Sequence, residues 1–317
     1  MSIIQNMLLH NRNHNIIPHH IDALTIEQTD VCLSVGCLAY PVIRLSDGEF
    51  QYNYIHSDTR YQPDSYFKPF IEEKASGLSF NEEYHIRCSS ISIEDDHIEM
   101  RTQWSDFSQF LGTNMMVGTY LPIREKVKDH FPISPLLANE LAAIGTFIIH
   151  DGQEKYLLLT KRSSNVSTYR NCMSASVSGA MGGGEKWTDF HMETRKPDPI
   201  LTIIRETKEE LGLDINRSQL KLDGLCMQAI DKQPNFLVSG ELPISKDEVL
   251  KKAKAAADKD EIEEDGLLFI PFELDKIMPY LIYLEYSPTS AAGVWALLEN
   301  YFTQDEIKTA FQQCCKG

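Results

Sequence analysis

The chain has 317 residues, of which 42% are hydrophobic and 24% charged, the balance of a folded globular protein rather than a disordered one. Its 30 Lys and Arg against 46 Asp and Glu leave a net charge of −16. That argues against a general nucleic-acid binder, because affinity for a phosphate backbone rests on basic surface. No apolar run approaches the roughly 20 residues that span a bilayer, and the start lacks a basic stretch and a small-residue cleavage site. Seven cysteines without a CxxC pair suit a reducing compartment. We therefore expect a cytoplasmic protein that engages neither membrane nor nucleic acid.

In chain order, residues 1–25 carry His10, His14, His19 and His20 among Asn and Pro and are expected to be a mobile polar tail. Residues 26–135 are expected to form a β-rich N-terminal domain. Segments 31–40, 50–55, 83–94 and 97–104 read as short strands of an antiparallel sheet, with hairpin turns at Asp47-Gly48 and Asp95-Asp96. A short helix and a loop follow over 106–130. A second unit is expected over 136–317. Its strands are predicted at 142–150 and 155–163, joined by a turn at Asp151-Gly152.

Segment 174–185, SASVSGAMGGGE, holds four glycines between Gly179 and Gly184 and is expected to be a loop without regular structure. Asp198 and Pro199 then supply the N-cap and first position of a helix. Ile200, Ile203, Ile204, Thr207 and Leu211 share its apolar face by 3.6-residue spacing, and Gly212 suits its end. Further strands are expected at 222–230 and 235–242. An exposed helix and an acidic turn over 245–265 lead into the apolar strand 267–272. Helices at 290–302 and 305–315 close the chain.

The segment that carries chemistry runs from Arg205 to Leu213. Glu206 and Glu210 are four residues apart and so share a helix face, with Glu209 beside them. Three neighbouring carboxylates repel, and they sit in the second half of the helix, where the macrodipole disfavours anions. A divalent cation resolves that repulsion, since hard cations prefer carboxylate oxygens; a solvated acidic face is the plainer alternative. Arg205 can orient Glu209 from four residues upstream.

These residues resemble the box of the Nudix family, Gx5Ex7REUxEExGU with U aliphatic. Gly179 and Glu185 match its first half; Arg205, Glu206, Glu209, Glu210, Gly212 and Leu213 match its second. Thr207 stands where the pattern has an aliphatic residue. Between Glu185 and Arg205 lie 19 residues rather than seven, which we read as a loop insertion over 186–197, KWTDFHMETRKP. Asp189, Glu193 or Asp198 could then replace Glu185 as the upstream acid. Segment 110–114, FLGTN, is similar to a stretch before the box in UDP-glucose diphosphatase-like members.

The resemblance implies an α+β Nudix fold, an α/β/α sandwich, carrying the β-rich N-terminal part. It implies hydrolysis of a nucleoside diphosphate linked to another group, with a UDP-sugar giving UMP and sugar 1-phosphate. Other Nudix substrates (ADP-ribose, a dinucleotide or a modified nucleotide) and a non-catalytic nucleotide sensor are the alternatives. It implies Mg²⁺, with Mn²⁺ as a substitute, on Glu206, Glu209, Glu210, Glu185 and either Glu261 or Glu263. Lys161 and Arg162 are candidates to pair with phosphate, against a surface ion pair. Gly179 and Gly182 allow close approach of main chain to ligand. Thr113 and Asn114 either touch substrate or cap a turn and dock the N-terminal part. A small nucleotide is the expected partner, and a homodimer is compatible with the sequence. Trp104, Trp187 and Trp295 are expected in core or interface, His191 in an exposed loop, and Cys314-Cys315 without activation.

Overall fold

A computed structural model describes residues 43–44, 51–76, 84–93, 97–128, 130, 133–166, 169–183, 189–191, 196–227, 231–283 and 286–316. The N-terminal tail, segment 31–40, both predicted hairpin turns, Glu185, Trp187, Glu193 and the side chains of His191 and Cys315 lie outside that description.

In chain order the elements are β1 (Ile43–Arg44), β2 (Gln51–Arg60), α1 (Lys68–Ala75), β3 (Tyr84–Ile93), β4 (His97–Ser105), α2 (Phe107–Gly112), α3 (Asn114–Thr119), α4 (Leu121–Val127), β5 (Ala142–Asp151) and β6 (Glu154–Arg162). Five short strands follow: β7 (Met173–Ser174), β8 (Val177–Ala180), β9 (Gly182–Gly183) and the pair β10 (Phe190–His191) with β11 (Lys196–Pro197). The remainder is α5 (Pro199–Leu211), β12 (Leu220–Met227), β13 (Pro234–Leu242), α6 (Lys246–Ala253), β14 (Ile262–Pro271), α7 (Leu274–Tyr283), α8 (Pro288–Leu298) and α9 (Gln304–Lys316).

The fold is α+β. The main sheet runs β1-β12-β13-β5-β6-β14, with β5 and β13 parallel and the other neighbours antiparallel. Successive β5 side chains enter opposite cores, as the two-residue period of a strand requires. Ile144 and Ile148 face α7, α8 and α9, packing with Leu281, Trp295 and Phe311. Ala143, Phe147 and Ile149 face α5 and α6, packing with Ile203, Leu211 and Val249. A sheet covered on both faces explains the run at 142–149, fully buried and apolar but for Thr146. α7, which no sequence feature announced, closes one side of that sandwich.

A second sheet, β2-β4-β3-β9, corrects the antiparallel reading of the N-terminal part: β2 and β4 are parallel. The chain reverses twice between them, through α1 into β3 and back into β4. Once β4 takes the place beside β2, the two must run the same way. This sheet is not a detached unit. Ile86, Cys88 and Met100 bury in the same core as α5. The main-chain N–H groups of Ile86, Met181 and Leu141 donate in a closed circuit to Met181, Leu141 and Ile86 carbonyls, knitting the two parts together.

The glycine-rich segment is also corrected. It is not a loop: β8 pairs with β5 and β9 with β3. The β5–β6 ladder begins at Phe147 opposite Leu158; on the other side of that point β5 takes β8 and β6 takes β7 as partners. Ser176 bridges the parting, its hydroxyl accepting from Phe147 N at 2.8 Å and donating to Leu158 O at 2.7 Å. Glycine permits this path because sheet pairing fixes the backbone while the missing side chains leave room beside it.

Candidate functional site

Helix α5 forms as its sequence dictates. Asp198 Oδ1 accepts from Ile200 N at 3.0 Å, Pro199 opens the first turn, and Gly212 ends the helix at φ 67°, a left-handed conformation that favours glycine. Ile200, Ile203, Thr207 and Leu211 are buried, with Ile204 half-buried against the same core. Thr207 fits an apolar position because its hydroxyl donates to Ile203 O within the helix, at 2.6 Å.

The charges on the opposite face divide into two groups. Arg205 is gripped from several sides. Its Nε and Nη2 donate to the two oxygens of Asp189 at 3.1 and 3.0 Å, and Nη2 also donates to Ala180 O at 3.0 Å. Nη1 lies 2.8 Å from both Glu206 Oε1 and Glu209 Oε2. Burial opposes the Arg205 charge, but Glu206, Asp189 and Glu209 outweigh it and hold the guanidinium above its ordinary range. Asp189 is fully buried and also accepts from Gly182 N at 2.9 Å. Of the acids weighed as substitutes for Glu185, Asp189 therefore fixes Arg205, and Asp198 caps α5 while bonding Arg217 at 2.5 Å.

The second group is strained by charge. Burial raises Glu206 to about 8, against the pull of Arg205 and with the help of Glu209, Glu261 and Asp189. Burial, then Glu206 and Glu261, push Glu210 far above the carboxylate range; Arg162 and Ser178 N–H work the other way. Burial also raises Glu261, opposed by Arg162 and reinforced by Asp258 and Glu209. Gly179 is essential to this packing: a Cβ there would overlap the Glu206 carboxylate.

Glu206 and Glu261 face a cavity of about 520 Å³ at the parting of β5 and β6, and Glu210 is buried beside it. Gly179 and Ala180 from β8, Ala142 and Ile144 from β5 and Arg162 from β6 line it, with Glu206, Glu261, Asp258 and Asp260 at one end. Among the described residues no group of three or more His, Cys, Asp or Glu side chains is already gathered to hold a metal ion. The donor set nonetheless fits a hard divalent cation. Glu206, Glu210 and Glu261 are oxygen donors, are buried or half-buried beside one another and resist ionising there, a conflict that a dication at that spot would relieve.

Several predicted site residues fall elsewhere. Lys161 is exposed and does not line the cavity, because neighbours on a strand point to opposite faces; Arg162 does line it. Glu263 is not at the cavity: its Oε1 accepts from Ser164 N at 3.3 Å, and it lies in strand β14 rather than in a turn. Gly182 does not reach the cavity either, its N–H being taken by Asp189. Thr113 and Asn114 are fully buried and cannot meet a ligand as they stand. Thr113 Oγ1 donates to Gln109 O and accepts from Ala138 N, and Asn114 Nδ2 donates to Asp231 O at 2.7 Å. Trp295 is in the core, and Trp104 packs with His56 and Phe190.

The sequence reading missed the other cavity residues: Phe107, Phe110, Met115, Glu140, Tyr169, Gln233 and Asn235. Glu140 interrupts the apolar approach to β5, and Asn235 opens β13 as a polar residue in an apolar strand. Those were the available signals, and neither names a partner.

No family model matches the chain, and no curated protein matches it significantly. Among solved structures it resembles a MutT/nudix family protein from Enterococcus faecalis at 12% identity, over 50% of this chain and 54% of that one, with TM-score 0.29. It also resembles the NUDIX domain of Shewanella oneidensis NrtR, complexed with ADP ribose, at 13% identity over 56% and 98%, with TM-score 0.33. A mutT/nudix family protein from Listeria innocua aligns at 18% identity over 51% and 93%, with TM-score 0.29. The chain thus spans about half the length of the Enterococcus protein. Overlaps this partial assign it neither activity nor ligand.

Proposed function

We propose that this chain is a Nudix pyrophosphohydrolase that cleaves a nucleoside diphosphate linked to another group. A UDP-sugar yielding UMP and sugar 1-phosphate is the first substrate to test. The observation that carries this reading is a cluster of three acids at a nucleotide-sized cavity: Glu206, from the helix that bears the box residues, and Glu261 line it half-buried, and Glu210 of the same helix is buried beside them.

Glu206, Glu210 and Glu261 are the residues that would hold Mg²⁺ or Mn²⁺, with Glu209 added when Arg205 releases it. A cation bound there neutralises pyrophosphate charge and acidifies water. The chain's own groups do the rest. Arg162 lies on the cavity wall beside Glu210 and Glu261 and offers a guanidinium to phosphate oxygens. Gly179 admits Glu206 to the wall. Arg205, locked by Asp189, sets the helix face against β8. Glu206 and Glu210 are both raised above the ordinary carboxylate range when no cation is near, and a carboxylate of this cluster that is ionised and left outside the coordination would be the group to accept a proton from water. Thr113 and Asn114 take no part in binding. The same reading places the protein in the cytoplasm, with a small nucleotide as partner and neither membrane nor nucleic acid. Among the described residues no helix is long and apolar enough to cross a membrane.

One observation favours a second reading, a nucleotide sensor without turnover: Arg205 already engages Glu206 and Glu209. A single screen separates the two. The protein is incubated with Mg²⁺ and UDP-glucose, other nucleoside diphosphate sugars, ADP-ribose or dinucleotides, and products are read by mass. Release of a nucleoside monophosphate that stops with chelator supports the hydrolase. Stoichiometric binding without product supports the sensor. Activity on ADP-ribose alone overturns the UDP-sugar assignment.

A further inference from the structure

The cavity has a second end that the acidic residues do not explain. Phe107 and Phe110 of α2 and Met115 of α3, all from the part of the chain before residue 136, wall it, and Gln233 and Asn235 edge it. The two rings lie stacked, with centroids 6.0 Å apart and an interplanar angle of 18°. Behind the amides sits Glu140, 2% exposed and bonded to Nδ1 of His85. Gln233 Nε2 donates to Glu140 Oε2 at 3.3 Å, while Asn235 Nδ2 donates to Gln233 O at 2.9 Å.

A carboxylate only accepts, so Glu140 decides which way the Gln233 amide is turned: its NH₂ faces Glu140. That leaves one amide N–H and the carbonyl oxygen as an oriented donor–acceptor pair at the cavity wall. Flat apolar walls with a directional polar edge suit a planar heteroaromatic ring, which stacks by its face and is read by its rim. A sugar can lay a C–H face on an aromatic ring but has no planar rim of in-plane donors and acceptors, so it suits the oriented amide less well.

We propose that Phe107, Phe110 and Met115 with Gln233 and Asn235 form the base subsite of the substrate, and that Glu140 is a positioning residue that fixes the Gln233 amide. This rests on the pyrophosphohydrolase reading and deepens it: the acidic end takes the diphosphate, and the N-terminal part of the chain selects the base. Specificity and chemistry are then carried by different parts of the sequence. Three apolar or aromatic residues and two amides discriminate the ring, while the acids are indifferent to it.

The test reads binding without turnover or metal, so it can fail while the hydrolase reading stands, and the reverse. The full-length protein is titrated with UMP, AMP, GMP, CMP and ribose 5-phosphate, which lacks a base. At least one nucleotide is expected to bind about tenfold or more tightly than ribose 5-phosphate, the scale of one base–aromatic stack. Phe107→Leu, which keeps bulk but removes the ring, and Gln233→Ala should bring that ratio towards one and leave ribose 5-phosphate affinity unchanged. Glu140→Gln, which donates as well as accepts, should flatten the preference among the four bases and retain the gain over ribose 5-phosphate. A purely structural role for Glu140 would not move that preference. Equal affinity for nucleotides and ribose 5-phosphate, no binding of any nucleotide, or a ratio untouched by both Phe107→Leu and Gln233→Ala overturns the proposal.

Discussion

Arg205 and Glu210 stand five residues apart on one helix, both ionisable and both largely withdrawn from water, yet their surroundings differ. Arg205 has a carboxylate, a carbonyl and two further acids arranged about it. Glu210 accepts a long contact from Ser178 N at 3.5 Å, feels Arg162 and is set among other acids. The first arrangement is a completed ionic joint, which pins α5 to β8 and to the 186–197 insertion. The second is an incomplete one, costly to the folded protein on its own, and a bound dication would relieve it. Buried charge by itself does not mark a site; buried charge left without compensation does.

The largest effect that would break this contrast is in turnover. Glu210→Gln should lower hydrolysis by about 10³-fold, the upper range for loss of one electrostatic group, and should leave the melting temperature equal or higher, since a repelling acid is gone. Wild-type rates in that variant remove Glu210 from the site. Asp189→Ala acts on the completed joint instead. Stripping Arg205 of its bidentate partner should destabilise the fold by about 3–5 kcal/mol, measured by urea unfolding. A loss near zero would mean that Arg205 is held well enough by Glu206, Glu209 and Ala180.

Next in size is the response to cation and pH. Glu206 is raised to about 8 from the ordinary carboxylate range, so its neutral form suits the folded state. Its contribution to stability is therefore complete below that range and is lost as pH climbs through 8. Without metal, the melting temperature should fall between pH 5 and pH 8. Mg²⁺ should raise the melting temperature more at pH 8 than at pH 5, with a stabilisation of up to about 2.7 kcal/mol at a hundredfold excess over Kd. An equal shift at both values would place the cation away from Glu206. Smallest is Gly179→Ala, whose methyl displaces the Glu206 carboxylate at a cost of about 1–3 kcal/mol for overpacking. Calorimetry should show that cost together with weaker Mg²⁺ binding; destabilisation with unchanged Mg²⁺ affinity would separate Gly179 from the site.

Much of this was legible along the chain. The α5 caps, its apolar stripe, the acids at 206, 209 and 210 and strands β5, β6, β12 and β13 are local features, set by spacing and by turn residues. The glycine-rich segment misled because composition speaks of conformational freedom, whereas β5 and β3 supply pairing that only the folded sheet provides. Lys161 and Arg162 are adjacent and alike, so only the facing of β6 separates them. Glu261 and Glu263 sit two apart, and the irregular entry of β14, where Asp265 adopts φ 60°, sends Glu263 to Ser164. Asp189 reaches Arg205 across 16 residues, a distance no periodicity encodes.

The sequence alone determined the helix, its acidic face and the chemistry a dication would find there, because these depend on neighbours within about one turn. Tertiary structure alone decided which acids are compensated and which are not. It also decided that α2 and α3 of the N-terminal part share a cavity wall with β5 and β13. Compensation and shared walls arise between segments far apart in the chain, and only packing brings them within reach of one another.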